Sequence, residues 1–254
     1  MAAEPASAPG WEEHRPNARL AGRRILVTGA GAGIGRCTAG LFRAEGAAVA
    51  LLDRDAAAVE AAAAACGGAP VVADVTDAVA VDRAVASAAA ALGGLDDLVN
   101  CAGISRPGRV EEVDIAAFRQ VIEVNLIGAH AVIRACLPHL RAAPWATIVN
   151  LASGQGLVPA GPSNAAYAAS KGGLITLTRS LAQEFAPLIR VNSVCPGMVP
   201  TGMTAGRSGD GRQYALKRNA TPLEVAQAIL FLAGTDSAFV TGIALPVDGG
   251  RTFH

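Results

Sequence analysis

Tyr167 and Lys171 stand four residues apart in the run Tyr167-Ala168-Ala169-Ser170-Lys171. On a helix that spacing puts a phenol and an ammonium on one face. A phenol titrates near pKa ~10, so acid–base work at neutral pH requires its phenolate to be stabilised, and a neighbouring ammonium does that. The pair reads as a tuned proton donor and acceptor. An ordinary amphipathic helix produces the same spacing, so the surrounding elements must decide. Ser153 is the second candidate. It follows the apolar run Thr147 to Leu151, at the C-terminal end of a strand, where open α/β sheets hold their ligands. Serines are common in such loops, so position alone does not settle its role.

The elements that must position these groups alternate between strand and helix. Arg24 to Thr28 is a short apolar strand, followed by Gly29-Ala30-Gly31-Ala32-Gly33-Ile34-Gly35 and a helical segment to Glu45. Glycines let backbone approach a pyrophosphate, and the helix N-terminus adds free N–H groups and partial positive charge. The spacing Thr-Gly-x-x-x-Gly-x-Gly also suits a tight structural turn. A second strand, Ala48 to Leu52, ends in Asp53, where a carboxylate can accept from ribose hydroxyls and would repel a 2′-phosphate. The alternative is that Asp53 only begins the next helix. Val71 to Ala73 reads as a third strand leading into Asp74 and Val75, and Asp74 could accept from an adenine amino group. Thr76 or Asp77 can cap the next helix. Leu95 to Asn100 is a fourth strand, and Cys101-Ala102-Gly103 is small enough for close approach to a flat ring or for tight packing.

Apolar positions from Phe118 to Leu137 recur at helical spacing over about 114–141, with Asn125 in the middle as a residue that can bend a helix. The helix holding Tyr167 runs to about Phe185, and Ile189 to Val194 is a sixth strand before Pro196-Gly197. Residues 198–220 lose periodicity and read as a mobile substrate lid. Thr221-Pro222-Leu223-Glu224 is a capping box that opens the last helix, which reaches about Ala233. Ile243 to Val247 closes the chain as an edge strand.

The 254 residues suit one α/β domain, with 1–19 as a flexible tail. The 21 basic and 21 acidic residues balance, leaving no footprint for nucleic acid or an anionic membrane. The long uncharged run from Pro144 to Ser170 is broken by prolines and polar residues, which argues against a spanning helix. Five widely spread cysteines without paired metal spacing point to reduced thiols, a cytoplasmic location and no metal. The expected partner is a small molecule.

Taken in order, Thr28-Gly29 to Gly35, Asp74, Asn100-Cys101-Ala102-Gly103, Asn125, Ser153, Tyr167 with Lys171, Pro196-Gly197 and Val247-Asp248-Gly249-Gly250 resemble the short-chain dehydrogenase/reductase family from about Leu20 to Gly250. The resemblance implies a single-domain Rossmann fold, a doubly wound seven-stranded parallel sheet flanked by helices on both faces. It also implies a nicotinamide dinucleotide across the strand ends, contacted by Gly29, Gly33, Ile34, Gly35, Asp53, Asp74, Val75, Asn100, Ala102, Gly103, Tyr167, Lys171, Pro196, Gly197 and Thr201. Tyr167 would be the acid/base. Lys171 would lower its pKa and hold the nicotinamide ribose, Ser153 would bond the reacting oxygen, and Asn125 would bend its helix and hold a relay water. The substrate-facing candidates are Ser153, Gln155, Leu157, Met198 and Met203. Asp53, with Ala32 before Gly33, implies NAD over NADP, although Arg54 could reach a 2′-phosphate. The reaction expected is interconversion of a secondary alcohol and a ketone. Reduction of a 3-oxoacyl thioester is the alternative, and a non-catalytic dinucleotide-binding regulator is a further one. The family commonly forms tetramers, which implies a homo-oligomer, and a tetramer first. Cys101 departs from the family's usual Asn, and the fourteen residues from Ser153 to Tyr167 run slightly long.

Overall fold

In a computed structural model, residues 16–159, 161–206 and 209–252 are described. Seven strands form one sheet in the order β3-β2-β1-β4-β5-β6-β7, and every neighbouring pair is parallel. They are β1 (Arg24–Thr28), β2 (Ala48–Asp53), β3 (Ala69–Val72), β4 (Asp97–Asn100), β5 (Ala146–Leu151), β6 (Ile189–Pro196) and β7 (Ala244–Val247). Parallel strands need crossover connections, here supplied mostly by helices that cover both faces. These are α1 (Gly33–Ala44), α2 (Ala56–Cys66), α3 (Ala78–Leu92), α4 (Ile115–Ile122), α5 (Ala129–Ala142), α6 (Gly154–Leu157), α7 (Ala165–Phe185) and α8 (Pro222–Ala233).

Successive residues of a strand face opposite sides, and the core divides accordingly. Ile25 and Val27 of β1 pack with α1, α2 and α8 through Leu41, Phe42, Val59 and Ile229. Leu26 packs on the other face with α3, α5 and α7 through Val85, Val132, Ile133 and Leu181. The register aligns Thr28 with Asn100, Asn100 with Asn150 and Asn150 with Ser193. The loops after β1, β4, β5 and β6 therefore leave along one edge of the sheet.

Helix boundaries follow capping chemistry. Asp55 caps α2 by accepting from the Ala58 N–H, and Asp77, not Thr76, caps α3 by accepting from Val79 and Ala80. Thr221 and Glu224 form the reciprocal box expected at α8. The strand expected at 71–73 starts two residues earlier, ends one earlier and includes Pro70, which β3 tolerates as the sheet's edge. The expected long helix is continuous over Ile115–Ala142, but Glu123–Gly128 winds as a π turn around Asn125. By length and composition that helix could cross a membrane. Here Val121, Val132, Ile133, Cys136 and Leu140 are buried, and the last four pack into the core beside α3 and α7.

Most of the expected tail, residues 1–15, lies outside the described residues. Its end is tied down: the Asn17 and Arg19 N–H groups donate to Glu45 Oε2 at 3.2 and 2.8 Å, and Leu20 is fully buried. Between Met198 and Asn219 the described residues contain one short 3-10 turn, Gly202–Thr204. The second half of this segment, expected as a mobile lid, is docked. Tyr214 is buried, its hydroxyl accepts from the Met198 N–H at 2.8 Å, and the Leu216 N–H donates to the Gly249 carbonyl at 3.1 Å.

Candidate active site

The aligned strand ends open onto one cleft, walled by Gly29, Gly33, Ile34, Gly35, Asp53, Arg54, Asp74, Val75, Ala102, Gly103, Ser153, Tyr167, Lys171, Pro196, Gly197, Thr201 and Met203, among others. Gly29 has a positive φ of 62°, and a β-carbon there would sit 2.7 Å from the Ala102 backbone. At Gly35 a β-carbon would run into the Gly29 carbonyl. The small residues at 101–103 thus serve tight packing against the glycine turn. Thr28 braces the same junction, its hydroxyl accepting from the Cys101 and Ala102 N–H groups at 3.2 Å.

These features fit a dinucleotide. The first turn of α1 has no side-chain cap and no acidic residue, so its N–H groups and partial positive charge remain available to a phosphate. Asp53 is fixed at the end of β2, where Oδ2 accepts from the Gly31 N–H at 3.0 Å and Oδ1 from the Asp55 N–H at 3.1 Å. Asp74 Oδ1 accepts from the Thr76 N–H and hydroxyl, and its Oδ2 lies 3.9 Å from Arg54 Nη1. That exposed ion pair turns Arg54 toward Asp74.

Ser153 and Tyr167 meet at the inner end of the cleft. Ser153 is buried at the N-terminus of α6, and its Oγ accepts from the Gln155 N–H at 3.1 Å, which leaves its proton free to donate. Ser153 stands beside the Tyr167 phenol and favours its ionised form. Lys171 is buried, with Nζ donating to the Leu151 carbonyl at 2.6 Å and lying 5.8 Å from the centre of the Tyr167 ring. Cys195 faces Tyr167 and Lys171, Cys101 faces Lys171, and burial pushes these thiols up to about 11 and about 12 respectively. They therefore stay neutral.

The expected lowering of the Tyr167 pKa is not what this geometry produces. Burial raises it, and only the neighbouring Ser153 pulls it back, because Lys171 pays the same burial cost and is itself depressed to about 8. That depression has a measurable sign. Between about 8 and the ordinary 10.5, the unfolded chain binds a proton that the folded chain has lost, so Lys171 makes folding more favourable as pH rises through that window. The buried phenol and thiols have the opposite sign. Lys171→Met removes the lysine contribution and pushes the Cys101 and Cys195 thiols further up, so its stability advantage over the wild type is expected to narrow from about pH 8 to about pH 10 in urea denaturation, whereas parallel curves would contradict the depressed lysine.

Four proposed contact residues lie outside the cleft wall, as does Asn125. Asn100 is buried beneath it, where the strand register turns its amide to donate to Asn150 Oδ1 at 3.0 Å. Leu157 packs against Ala152, Ile175 and Cys195, because α6 turns its apolar face inward. Met198 lines a second cavity with Tyr214, Leu216 and Val247. The Gln155 side chain points into protein, its Oε1 buried without a partner, so its backbone rather than its amide serves Ser153. Asn125 supports the wall from behind: Oδ1 accepts from the Ile104 N–H at 2.8 Å, and Nδ2 donates to the Ile104 carbonyl and to Ser170 Oγ. Ser170 in turn donates to the Tyr167 carbonyl at 2.7 Å. The Asn125 cross-links leave no local signal in the sequence, since they join residues 21 and 45 positions apart. Among the described residues, no group of three or more His, Cys, Asp or Glu could hold a metal ion.

A family model described as Enoyl-(Acyl carrier protein) reductase matches residues 29–252. The chain is 40% identical to 2-(S)-hydroxypropyl-CoM dehydrogenase 3 of Xanthobacter autotrophicus, over 92% of this chain and 98% of that one. It is 39% identical to meso-2,3-butanediol dehydrogenase of Serratia marcescens, over 92% and 96%. Among solved structures, 3-ketoacyl-(acyl-carrier-protein) reductase from Brucella melitensis complexed with NADH superposes with a TM-score of 0.89 at 34% identity, over 92% of this chain and 100% of that one. With this sheet order, this cleft and these relatives, the chain belongs to the short-chain dehydrogenase/reductase family and is an oxidoreductase acting on CH–OH donors.

Proposed function

We propose that the chain interconverts a secondary alcohol and a ketone with NAD(H), using Tyr167 as the acid/base. The contact of Ser153 with Tyr167 at the inner end of a dinucleotide-shaped cleft carries the reading. When bound, the nicotinamide supplies the hydride acceptor for oxidation and the donor for reduction. The glycine turn and the first turn of α1 would hold its phosphates, Asp53 the adenosine ribose, Asp74 the adenine, Lys171 the nicotinamide ribose and Thr201 the carboxamide. In oxidation the Tyr167 phenolate takes the alcohol proton while Ser153 holds the same oxygen with its free O–H. In reduction Tyr167 returns the proton to the new alkoxide. Lys171 lies too deep for direct contact with bulk water, so its proton exchanges through the Asn125 region, where the π turn frees backbone carbonyls to hold a water.

The NAD preference rests on Asp53, whose carboxylate would meet a 2′-phosphate with like charge. Asp53→Ala is expected to narrow the NAD over NADP ratio of kcat/KM by at least about tenfold, equivalent to about 1.4 kcal/mol. Steady-state kinetics with both cofactors decides it, and equal efficiency in the wild type would refute the preference. The 34% identity to a 3-ketoacyl-(acyl-carrier-protein) reductase keeps one other substrate class in view. Turnover of a 3-oxoacyl thioester exceeding that of simple secondary alcohols would favour it. We further read the enzyme as a cytoplasmic homo-oligomer, with a tetramer as the first expectation, a reading supported by cysteines that form no disulfide and by family resemblance.

A further inference from the structure

The hydroxyl of Ser153 owes its orientation to α6, which has only four residues. A helix that short has too few internal hydrogen bonds to hold its own shape, so its geometry depends on what packs around it. On one side lies α7, so close that a β-carbon at Gly156 would meet the Lys171 carbonyl carbon at 2.7 Å. On the other side is the turn that follows β7. There Asp248 is buried, with Oδ1 accepting from the Gly250 and Arg251 N–H groups and Oδ2 from the Thr252 N–H and hydroxyl. This turn projects Arg251 back across 93 residues of sequence, and its Nη2 donates to the Val158 carbonyl at 2.6 Å. Its Nη1 lies 2.9 Å from where a β-carbon of Gly154 would be, so the guanidinium packs closely against the first turn of α6. Among the described residues Arg251 has no carboxylate within ion-pair distance, and its guanidinium is directed at the C-cap of α6.

We propose that Arg251 is a positioning residue for Ser153: from the C-terminal turn its guanidinium clamps the exit of α6 and thereby holds the Gln155 N–H that orients the serine hydroxyl toward Tyr167. This rests on the reading of Ser153 and Tyr167 as the reacting pair. A cation at a helix C-terminus also suits the exposed carbonyls there.

The chain has two tyrosines, Tyr167 and Tyr214, so tyrosinate absorbance with Tyr167→Phe as the reference isolates the Tyr167 titration without any substrate. The other titratable groups around it, Lys171 on its own helix and Cys195 from β6, with Cys101 beyond Lys171, are the same in every variant. Arg251→Met is expected to shift the Tyr167 titration upward, because the phenolate loses a well-aimed hydrogen bond. Arg251→Lys, which keeps one donor for Val158, should fall between and carries the test if the methionine variant does not fold. In a Ser153→Ala background Arg251→Met should produce no further shift, which a general structural effect would not reproduce. An unshifted titration in both variants, or the same shift without Ser153, overturns the proposal.

Turnover gives the second readout: kcat should fall about tenfold, as for a slightly misplaced reacting group, with the dinucleotide Kd within about twofold of wild type. A wild type inactive on every secondary alcohol would remove the proposed substrate class while the titration still judges the clamp. An active wild type with an unshifted Arg251→Met would remove the clamp alone.

Discussion

Tyr167→Phe is expected to lower kcat by about 10²- to 10⁴-fold, the usual range for removal of a positioned acid/base, while the dinucleotide still binds. The two effects separate because the phenol hydroxyl contacts Ser153 at one end of the cleft, whereas the glycine turn, Asp53 and Asp74 line the rest of it. The ring itself stays, so packing beside Lys171 and Cys195 is preserved. Nicotinamide absorbance measures turnover and NADH fluorescence measures binding. A variant that keeps kcat within tenfold of wild type would assign the proton transfer to another group. The wild-type pH profile carries its own expectation: the phenol's raised pKa makes oxidation, which needs the phenolate, gain with rising pH. Reduction, which needs the phenol, should hold its rate to higher pH.

Asp97→Ala is expected to cost about 3–5 kcal/mol of stability, since it strands a buried guanidinium without its counter-charge. Asp97 is fully buried at the start of β4. It accepts from Arg23 Nη2 at 2.6 Å and Nε at 2.9 Å, and from the Thr147 N–H and hydroxyl at 3.0 and 2.9 Å. Arg23 is buried too, with its guanidinium 3.3 Å from the centre of the Trp145 ring. A loss of that size is a large part of a typical domain's 5–15 kcal/mol, and the shift of the urea midpoint measures it. This pair lies at the N-terminal ends of β1 and β4, opposite the cleft, so kcat per folded molecule should be unchanged. A stability change below about 1 kcal/mol would show that the charge pair contributes no more than an exposed one.

The contrast between these two sites shows what a sequence makes legible. Tyr167, Lys171 and Ser153 were found because spacing on a helix and position after a strand are local properties. The glycine turn and Asp53 were found for the same reason, and so was the whole alternation of strand and helix, which depends on periodicities of two and 3.6 residues. The start of β3 at Ala69, with Pro70 inside it, is not legible locally, because tolerance of proline depends on being at the sheet's edge, a fact about neighbours. The Arg23 and Asp97 pair spans 74 residues and looks in the sequence like two ordinary surface charges.

The sequence by itself determined the order of elements, the parallel α/β class, the groups able to do chemistry and the end of the sheet at which they must collect. Tertiary structure alone decided which of them share the cleft and in what electrostatic state. Asn100, Leu157 and Met198 face away from it because strand register, the inward face of α6 and the docked segment after β6 decide where their side chains go. Tyr167 and Lys171 have pKa values moved in the directions burial dictates. Desolvation depends on everything that packs around a group, most of it far away in sequence, so no local pattern could have supplied its sign.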